Sequence, residues 1–572
     1  MKSESKPVIY QIMVRLAGNT STAGIPYGTY EQNGCGKFND LSPVFLKSIQ
    51  QLGATHIWLT GILEHATCTD YSLHDIPAGN PLVIKGRAGS PYAITDYYDV
   101  DPDLAVDVAR RMEEFESLVQ RCHQQGLAPI IDFVPNHVAR QYASDSKPDQ
   151  AEDFGFQDDC SKAFVPSNNF YYIPGKKLRL PEEVYQLPYV KDSVVNPYEE
   201  HPARATGNDQ FHETLNYHDW YETVKLNYGI DYLNGGRRHF DPIPDTWHKM
   251  RDILLFWASK KISGFRCDMA EMVPVEFWEW VIPQVKKAFP GVIFIAEIYN
   301  PDAYRNFIFK GRFDYLYDKM GLYDTLRAVV EQRLPATSIT GTWKQLEGIG
   351  QHMLRFMENH DEQRIASSHF AGTPLAGIPA MTISATIHQG PVMLYCGQET
   401  GEPAQGAAGY SGDDGRTTIF DYDRIPTFQQ WFNHGLCDGG LLNSQQHQLR
   451  NFYSQLLESC RHPVITSGHF YDLMWANNPD SGFNDQHCYT FLRWDQQDVW
   501  LVMGSFNPRN TLSLRVTIPE HFIRIRNAHP LAHKKVVPVL MGLHPDTALQ
   551  QVSDSSLQVT IGPFDALILA LQ

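Results

Sequence analysis

Three carboxylates, two histidines and an arginine, Asp268, Glu297 and Asp361 with His137, His360 and Arg266, sit at or near the ends of short apolar runs. The segments are Asp132-Phe133-Val134-Pro135-Asn136-His137, Gly264-Phe265-Arg266-Cys267-Asp268, Ile295-Ala296-Glu297-Ile298 and Phe356-Met357-Glu358-Asn359-His360-Asp361. Carboxylates presented at the ends of different strands suit cleavage of a glycosidic bond, which needs one group as acid and another as nucleophile or base. In 264–268 the two-residue strand period puts Arg266 and Asp268 on one face and Phe265 and Cys267 on the other. A guanidinium beside Asp268 is expected to lower its pKa and keep it ionised, as a nucleophile requires. The plainer reading of the pair is a buried ion pair, and Cys267, facing the helices, reads as packing. At Glu297 an apolar strand ends in an acid whose partial desolvation is expected to raise its pKa and hold a proton for the leaving oxygen. A helix-capping glutamate is the other reading there, and Asp361 has its own alternative as N-cap of a helix over 362–370.

Positioning such groups takes a scaffold of several strands. Apolar strand candidates recur at 8–14, 56–61, 129–134, 264–268, 292–298, 312–317, 353–358 and 391–397. Amphipathic stretches lie between them, with Met112, Phe115, Leu118 and Val119 inside 107–125 and Trp247, Met250, Ile253, Leu254 and Trp257 inside 244–261. Alternating strands and helices imply parallel βαβ units, and eight of them suggest a (β/α)8 barrel of the TIM type, with its site at the carboxyl ends of the strands.

The connection 138–224 is too long for a simple βα loop and reads as an inserted domain, polar and aromatic, with the solvated loop as the alternative. After about 465 short strand-like runs replace the helical pattern, which predicts an all-β sandwich at the carboxyl end. The expected division is 1–137 and 225–464 for the barrel, 138–224 for the insertion and 465–572 for the sandwich.

These motifs, in this order over about 230 residues, resemble the α-amylase family, glycoside hydrolase family 13. The resemblance covers nearly the whole chain and makes the insertion domain B and the sandwich domain C. It implies a retaining double displacement, with Asp268 as nucleophile, Glu297 as acid/base and Asp361 as the third carboxylate that grips sugar hydroxyls. It further implies that His137 and His360 bind hydroxyls of the sugar being cleaved and that Tyr97 stacks on that sugar. Arg266 belongs to the same substrate-binding group. Asn136 matches a calcium-binding asparagine of many members, so Ca²⁺ is the one cofactor implied. No organic cofactor is. Lys225-Leu226-Asn227 and Gly390–Glu399 resemble further family motifs. Two departures bear on substrate. Glu271 and Met272 stand where many starch-cleaving members carry a basic residue and a histidine, and Lys85-Gly86-Arg87-Ala88-Gly89-Ser90-Pro91-Tyr92 is similar to a loop of maltosyltransferases that use maltose 1-phosphate.

The bulk properties agree with a carbohydrate enzyme. The chain has 572 residues, 42% hydrophobic and 12% aromatic, enough for a large core with rings to spare for sugar stacking. A formal charge of −17 argues against nucleic acid or an anionic membrane as partner, and a neutral α-glucan oligosaccharide is compatible with it. No apolar run reaches the roughly 20 residues of a membrane helix. The amino terminus shows no export signal, and nine cysteines without pair or metal spacing suit reduced thiols, so a cytoplasmic location is expected. The expected function is hydrolysis of α-1,4 bonds in maltodextrin-, starch- or glycogen-type chains. Transglycosylation or isomerisation of sucrose, trehalose or a maltosyl donor is the alternative within the family. A non-catalytic binding or chaperone-like protein is the alternative outside it, disfavoured because all three carboxylates are intact.

Overall fold

A computed structural model describes residues 6–193, 196–525, 536–553 and 555–571. Residues 1–5, part of the segment read for an export signal, fall outside it.

Eight parallel strands form one sheet: β1 Val8–Met13, β2 His56–Thr60, β3 Ala128–Phe133, β4 Gly264–Cys267, β5 Ile293–Ala296, β6 Tyr315–Tyr317, β7 Met353–Leu354 and β8 Val392–Tyr395. Their order is β7-β6-β5-β4-β3-β2-β1-β8. Closure falls between β7 and β8, where Arg355 bridges to Val392 and its carbonyl accepts from Met393 N at 2.8 Å. The sheet is therefore a barrel, and each strand coincides with one of the eight apolar runs. The strands are short and buried on both faces, as parallel strands covered by helices must be.

The outer helices follow from their stripes. Helix α1, Arg111–Gln124, buries Phe115, Leu118, Val119 and Cys122, while α2, Asp245–Ser259, buries Trp247, Met250, Ile253, Leu254 and Trp257. Helix α3, Val275–Ala288, buries Phe277, Trp278, Val281, Ile282 and Val285 and packs beside α2. Gly264 opens β4 because a Cβ there would lie 2.6 Å from Ile293 Cγ1, so only glycine lets β5 pair this closely. Helix α4, Gly377–Thr386, is wholly buried, the hydroxyls of Thr382 and Thr386 turned onto carbonyls of the preceding turn, and it packs against two strands of the carboxyl-terminal sheet.

That sheet has five strands, ordered His469–Asp472, Cys488–Trp494, Val499–Ser505, Asp565–Leu571 and Val536–Met541, and a second sheet joins Leu512–Thr517, Ser556–Ile561 and Ala548–Ser553. Between β3 and α2 the chain runs out over the cleft and returns. Two short strands, His137–Ala139 and Thr223–Lys225, pair antiparallel at its base. Beyond them a separate apolar cluster, including Leu178, Val184, Tyr189 and Tyr221, gives the excursion its own core.

Candidate active site

The four motif segments converge at the carboxyl end of the barrel, and Arg266 is their hub. It is fully buried. Its Nη1 donates to Asp268 Oδ1 at 2.7 Å and to Asp132 Oδ1 at 3.4 Å, its Nη2 lies 2.8 Å from Glu297 Oε2, and its Nε donates to Tyr317 Oη at 3.1 Å. The β-ladder explains this: Arg266 pairs with Asp132 on β3 and with Ile295 on β5, two residues before Glu297. Trp58, Tyr92 and Tyr317 surround the guanidinium with ring centroids 5.3–5.5 Å away.

Glu297 receives two further donors, Met269 N at 2.7 Å on Oε2 and Tyr299 Oη at 2.7 Å on Oε1. Met269 reaches its carboxylate through a left-handed backbone, φ 42°, rare for a side chain of its size and the kind of strain that accumulates at sites. Asp361 stands on the open side, its side chain 40% exposed, with Oδ2 3.1 Å from His360 Nε2. Residues 362–370 form turns and no helix starts there, so Asp361 caps none.

The expectation that Arg266 would depress the pKa of Asp268 is corrected. Burial pushes the Asp268 carboxyl well above its usual range, Arg266 opposes this, and the charges of Glu297, Asp132 and Asp361 reinforce it. One guanidinium cannot balance three buried carboxylates and a fourth at the open rim. Asp132, held by Trp58 Nε1 at 3.1 Å, is likewise raised by burial, to about 6. Both histidines are held neutral, burial lowering His137 and His360 each to about 3.

Tyr97 is the second correction. It is fully buried with its hydroxyl on the carbonyls of Val134 and His137, its ring packs on Tyr142 and Phe154, and it does not line the cleft. The ring that does is Tyr92, whose hydroxyl lies 2.5 Å from His360 Nε2. The cleft, about 380 Å³, is also lined by Asp268, Glu297, Asp361 and His137, with Trp220 5.3 Å from the His137 ring. Tyr299 was missed because nothing local marks it. Glu271 turns away from the cleft and caps the Tyr299 and Asn300 amides at 3.1 and 3.0 Å.

Asn136 is the third correction, because its surroundings do not fit calcium. Its Oδ1 accepts from Lys225 Nζ at 2.8 Å and its Nδ2 donates to the Gly207 carbonyl at 2.8 Å. Calcium needs six to eight oxygens, and an ammonium already holds the one that Asn136 offers. Among the described residues the cluster of acidic groups close enough to share a cation is Glu64, Asp99 and Asp145, and Arg111 is paired with Asp99 there.

Fold and site define a (β/α)8-barrel protein with a carboxylate-lined cleft at the carboxyl ends of its strands. Residues 33–290 match the model of the α-amylase catalytic domain. Over 385 residues the chain is 23% identical to Alpha-amylase 3 of Dictyoglomus thermophilum, covering 64% of this chain and 66% of that protein. A 58-residue stretch is 42% identical to an α-1,4-glucan:maltose-1-phosphate maltosyltransferase of Cereibacter sphaeroides, a tenth of either chain. In fold it is similar to the Nostoc punctiforme debranching enzyme, with a TM-score of 0.64 at 16% identity over 99% of this chain and 98% of that one. The match places an α-amylase catalytic domain within residues 33–290, and the barrel and cleft agree with it.

Proposed function

We propose that this protein is a retaining α-glucan hydrolase that cuts α-1,4 bonds of maltodextrin-type oligosaccharides. The observation that carries the reading is that one buried guanidinium hydrogen-bonds Asp268 through Nη1 and is ion-paired with Glu297 through Nη2, 2.8 Å from its Oε2. Two carboxyls so tethered are held close together, which suits a retaining enzyme with its separation of roughly 5 Å better than the wider gap of an inverting one. Asp268 attacks the anomeric carbon while Glu297 gives its proton to the departing oxygen. Glu297 then takes a proton from water, which attacks the same carbon and releases Asp268. Arg266 stabilises the charge that returns to Asp268 as it leaves, and Tyr299 and the Met269 amide steer the Glu297 carboxyl. Asp361, with His360 beside it, takes hydroxyls of the sugar, and Tyr92 supplies the stacking face. Six of the nine unpaired cysteines are buried, which supports a reducing compartment such as the cytoplasm.

A transferase reading has one specific support, the resemblance of Lys85–Tyr92 to a maltosyltransferase loop. Lys85 lines the cleft, as a phosphate-binding loop would require. Its ammonium is already 3.0 Å from Glu222 Oε2, however, so its charge is compensated and hydrolysis is favoured. Chromatography of products from maltoheptaose, sucrose, trehalose and maltose 1-phosphate, beside Asp268→Asn, tests the reading. Shorter maltodextrins made only by the parent support it. Longer chains or rearranged disaccharides would move it to transfer or isomerisation, and no turnover of any substrate would leave a binding protein.

A further inference from the structure

We propose that the Lys225 ammonium is the built-in cation of this protein: it stands in place of calcium at the base of the inserted segment and, through Asn136, positions His137 over the cleft. Lys225 is 1% exposed, and besides Asn136 Oδ1 at 2.8 Å its Nζ meets Asp209 Oδ1 at 2.6 Å. Asp209 belongs to the excursion over the cleft and Asn136 to the end of β3, so the ammonium ties one to the other as a shared metal would. One carboxylate answers one ammonium. The Asp209 side chain is 41% exposed and is the carboxylate paired with Lys225 among the described residues, so a divalent ion added beside the buried ammonium would meet its charge directly.

The same contact decides the orientation of Asn136. An ammonium can only donate, so the amide must turn its oxygen to Lys225 and its nitrogen the other way. That nitrogen donates one hydrogen to the Gly207 carbonyl at 2.8 Å and the other to His137 Nδ1 at 3.2 Å. His137 Nδ1 is then an acceptor and the imidazole carries its hydrogen on Nε2. His137 and Lys225 are also direct cross-strand partners, so any shift of one is felt by the other. Gly207 closes the arrangement, since a Cβ there would lie 3.0 Å from His137 Cβ and 2.7 Å from Thr223 Oγ1. Lys225 is thus a positioning residue that touches no reacting atom.

The test is calcium content and thermal melting of the full chain, before and after EDTA and with added CaCl₂, for the parent, Lys225→Met and Lys225→Arg. The parent is expected to keep its melting temperature within about 1 °C in all three conditions. Lys225→Met should melt several degrees lower in each, with Lys225→Arg in between. About one calcium per parent chain whose removal lowers the melting temperature would overturn the proposal, provided it persists in Glu64→Gln. Calcium lost in Glu64→Gln belongs to the Glu64 cluster, and the EDTA and melting comparisons are then made in the Glu64→Gln background, where the same outcomes decide. A Lys225→Met protein as stable as the parent would overturn it as well. The link to His137 rests on the hydrolase reading and has its own readout, KM for maltoheptaose rising about tenfold in Lys225→Met with kcat changing less. The metal and melting measurements stand even if maltoheptaose is not a substrate. Should Lys225→Met fail to fold, the parent's response to EDTA and the Lys225→Arg kinetics still decide the matter.

Discussion

Replacing Asp268 by asparagine separates what the site does from what it costs the fold. The carboxyl is 6% exposed, and its pKa is raised above the unfolded value chiefly by burial, with Glu297, Asp132 and Asp361 adding to it and Arg266 opposing. A carboxyl whose folded pKa is raised favours folding only in its protonated form. Its contribution is intact below the unfolded value, roughly 4, and is lost as the pH climbs through the folded value. Each unit of such a shift corresponds to about 1.4 kcal/mol. At neutral pH Asp268 therefore destabilises the parent, and the isosteric amide removes the charge while Arg266 keeps Glu297 and Asp132. The variant should lose activity on maltoheptaose by about 10⁴-fold or more, as expected when a nucleophile is removed. It should nevertheless be as stable as the parent or more so at pH 8, by up to the about 1–4 kcal/mol seen when buried ionic groups are replaced. Urea unfolding at pH 8, 6 and 4.5 measures this, and the advantage should shrink toward acid. A variant that is less stable than the parent by a similar margin at all three pH values would refute the reasoning that burial and charge crowding dominate Asp268. Retained activity would remove it as nucleophile.

Tyr299→Phe deletes one donor to the Glu297 carboxylate, and since a hydrogen bond to a charged group is worth about 1.5–3 kcal/mol, kcat should fall roughly 10- to 100-fold while the melting temperature barely moves. Tyr92→Ala and Tyr97→Phe should behave oppositely. The first should raise KM at least about tenfold by removing the cleft ring. The second should leave kinetics nearly intact and lower stability by about 1 kcal/mol per hydrogen bond lost, as read by urea unfolding. His137 and His360, lowered by burial to about 3, support folding fully above their unfolded value near 6.5 and progressively less as the pH falls toward 3. Acidification to pH 5 should therefore cost about 2 kcal/mol for each, and replacing either by glutamine should flatten that slope of stability against pH.

Much of the barrel was legible because its signals are local. The period of two puts Arg266 beside Asp268, the period near 3.6 sets the buried face of Asp245–Ser259, and each apolar run is long enough to be one strand of a parallel sheet. The motif carboxylates were legible for the same reason, since a strand that ends in Asp or Glu delivers it to the rim wherever the strand goes. What the amino-acid order could not decide depends on residues that meet only after the chain has closed. Tyr92 and Tyr97 are both plausible stacking rings, and the choice rests on contacts of Tyr92 with His360 and of Tyr97 with Val134 and His137, far along the chain. Asn136 looks like a metal ligand until Lys225, 89 positions later, fills its oxygen. The Asp268 pKa looks lowered when Arg266 alone is counted and proves raised once burial and, after it, the charges of Glu297, Asp132 and Asp361 are counted. Sequence determines which groups each strand carries because side-chain direction is set by near neighbours. Only the tertiary structure decides their charge state and their partners, because desolvation and Coulomb terms are sums over everything that folding gathers at one point.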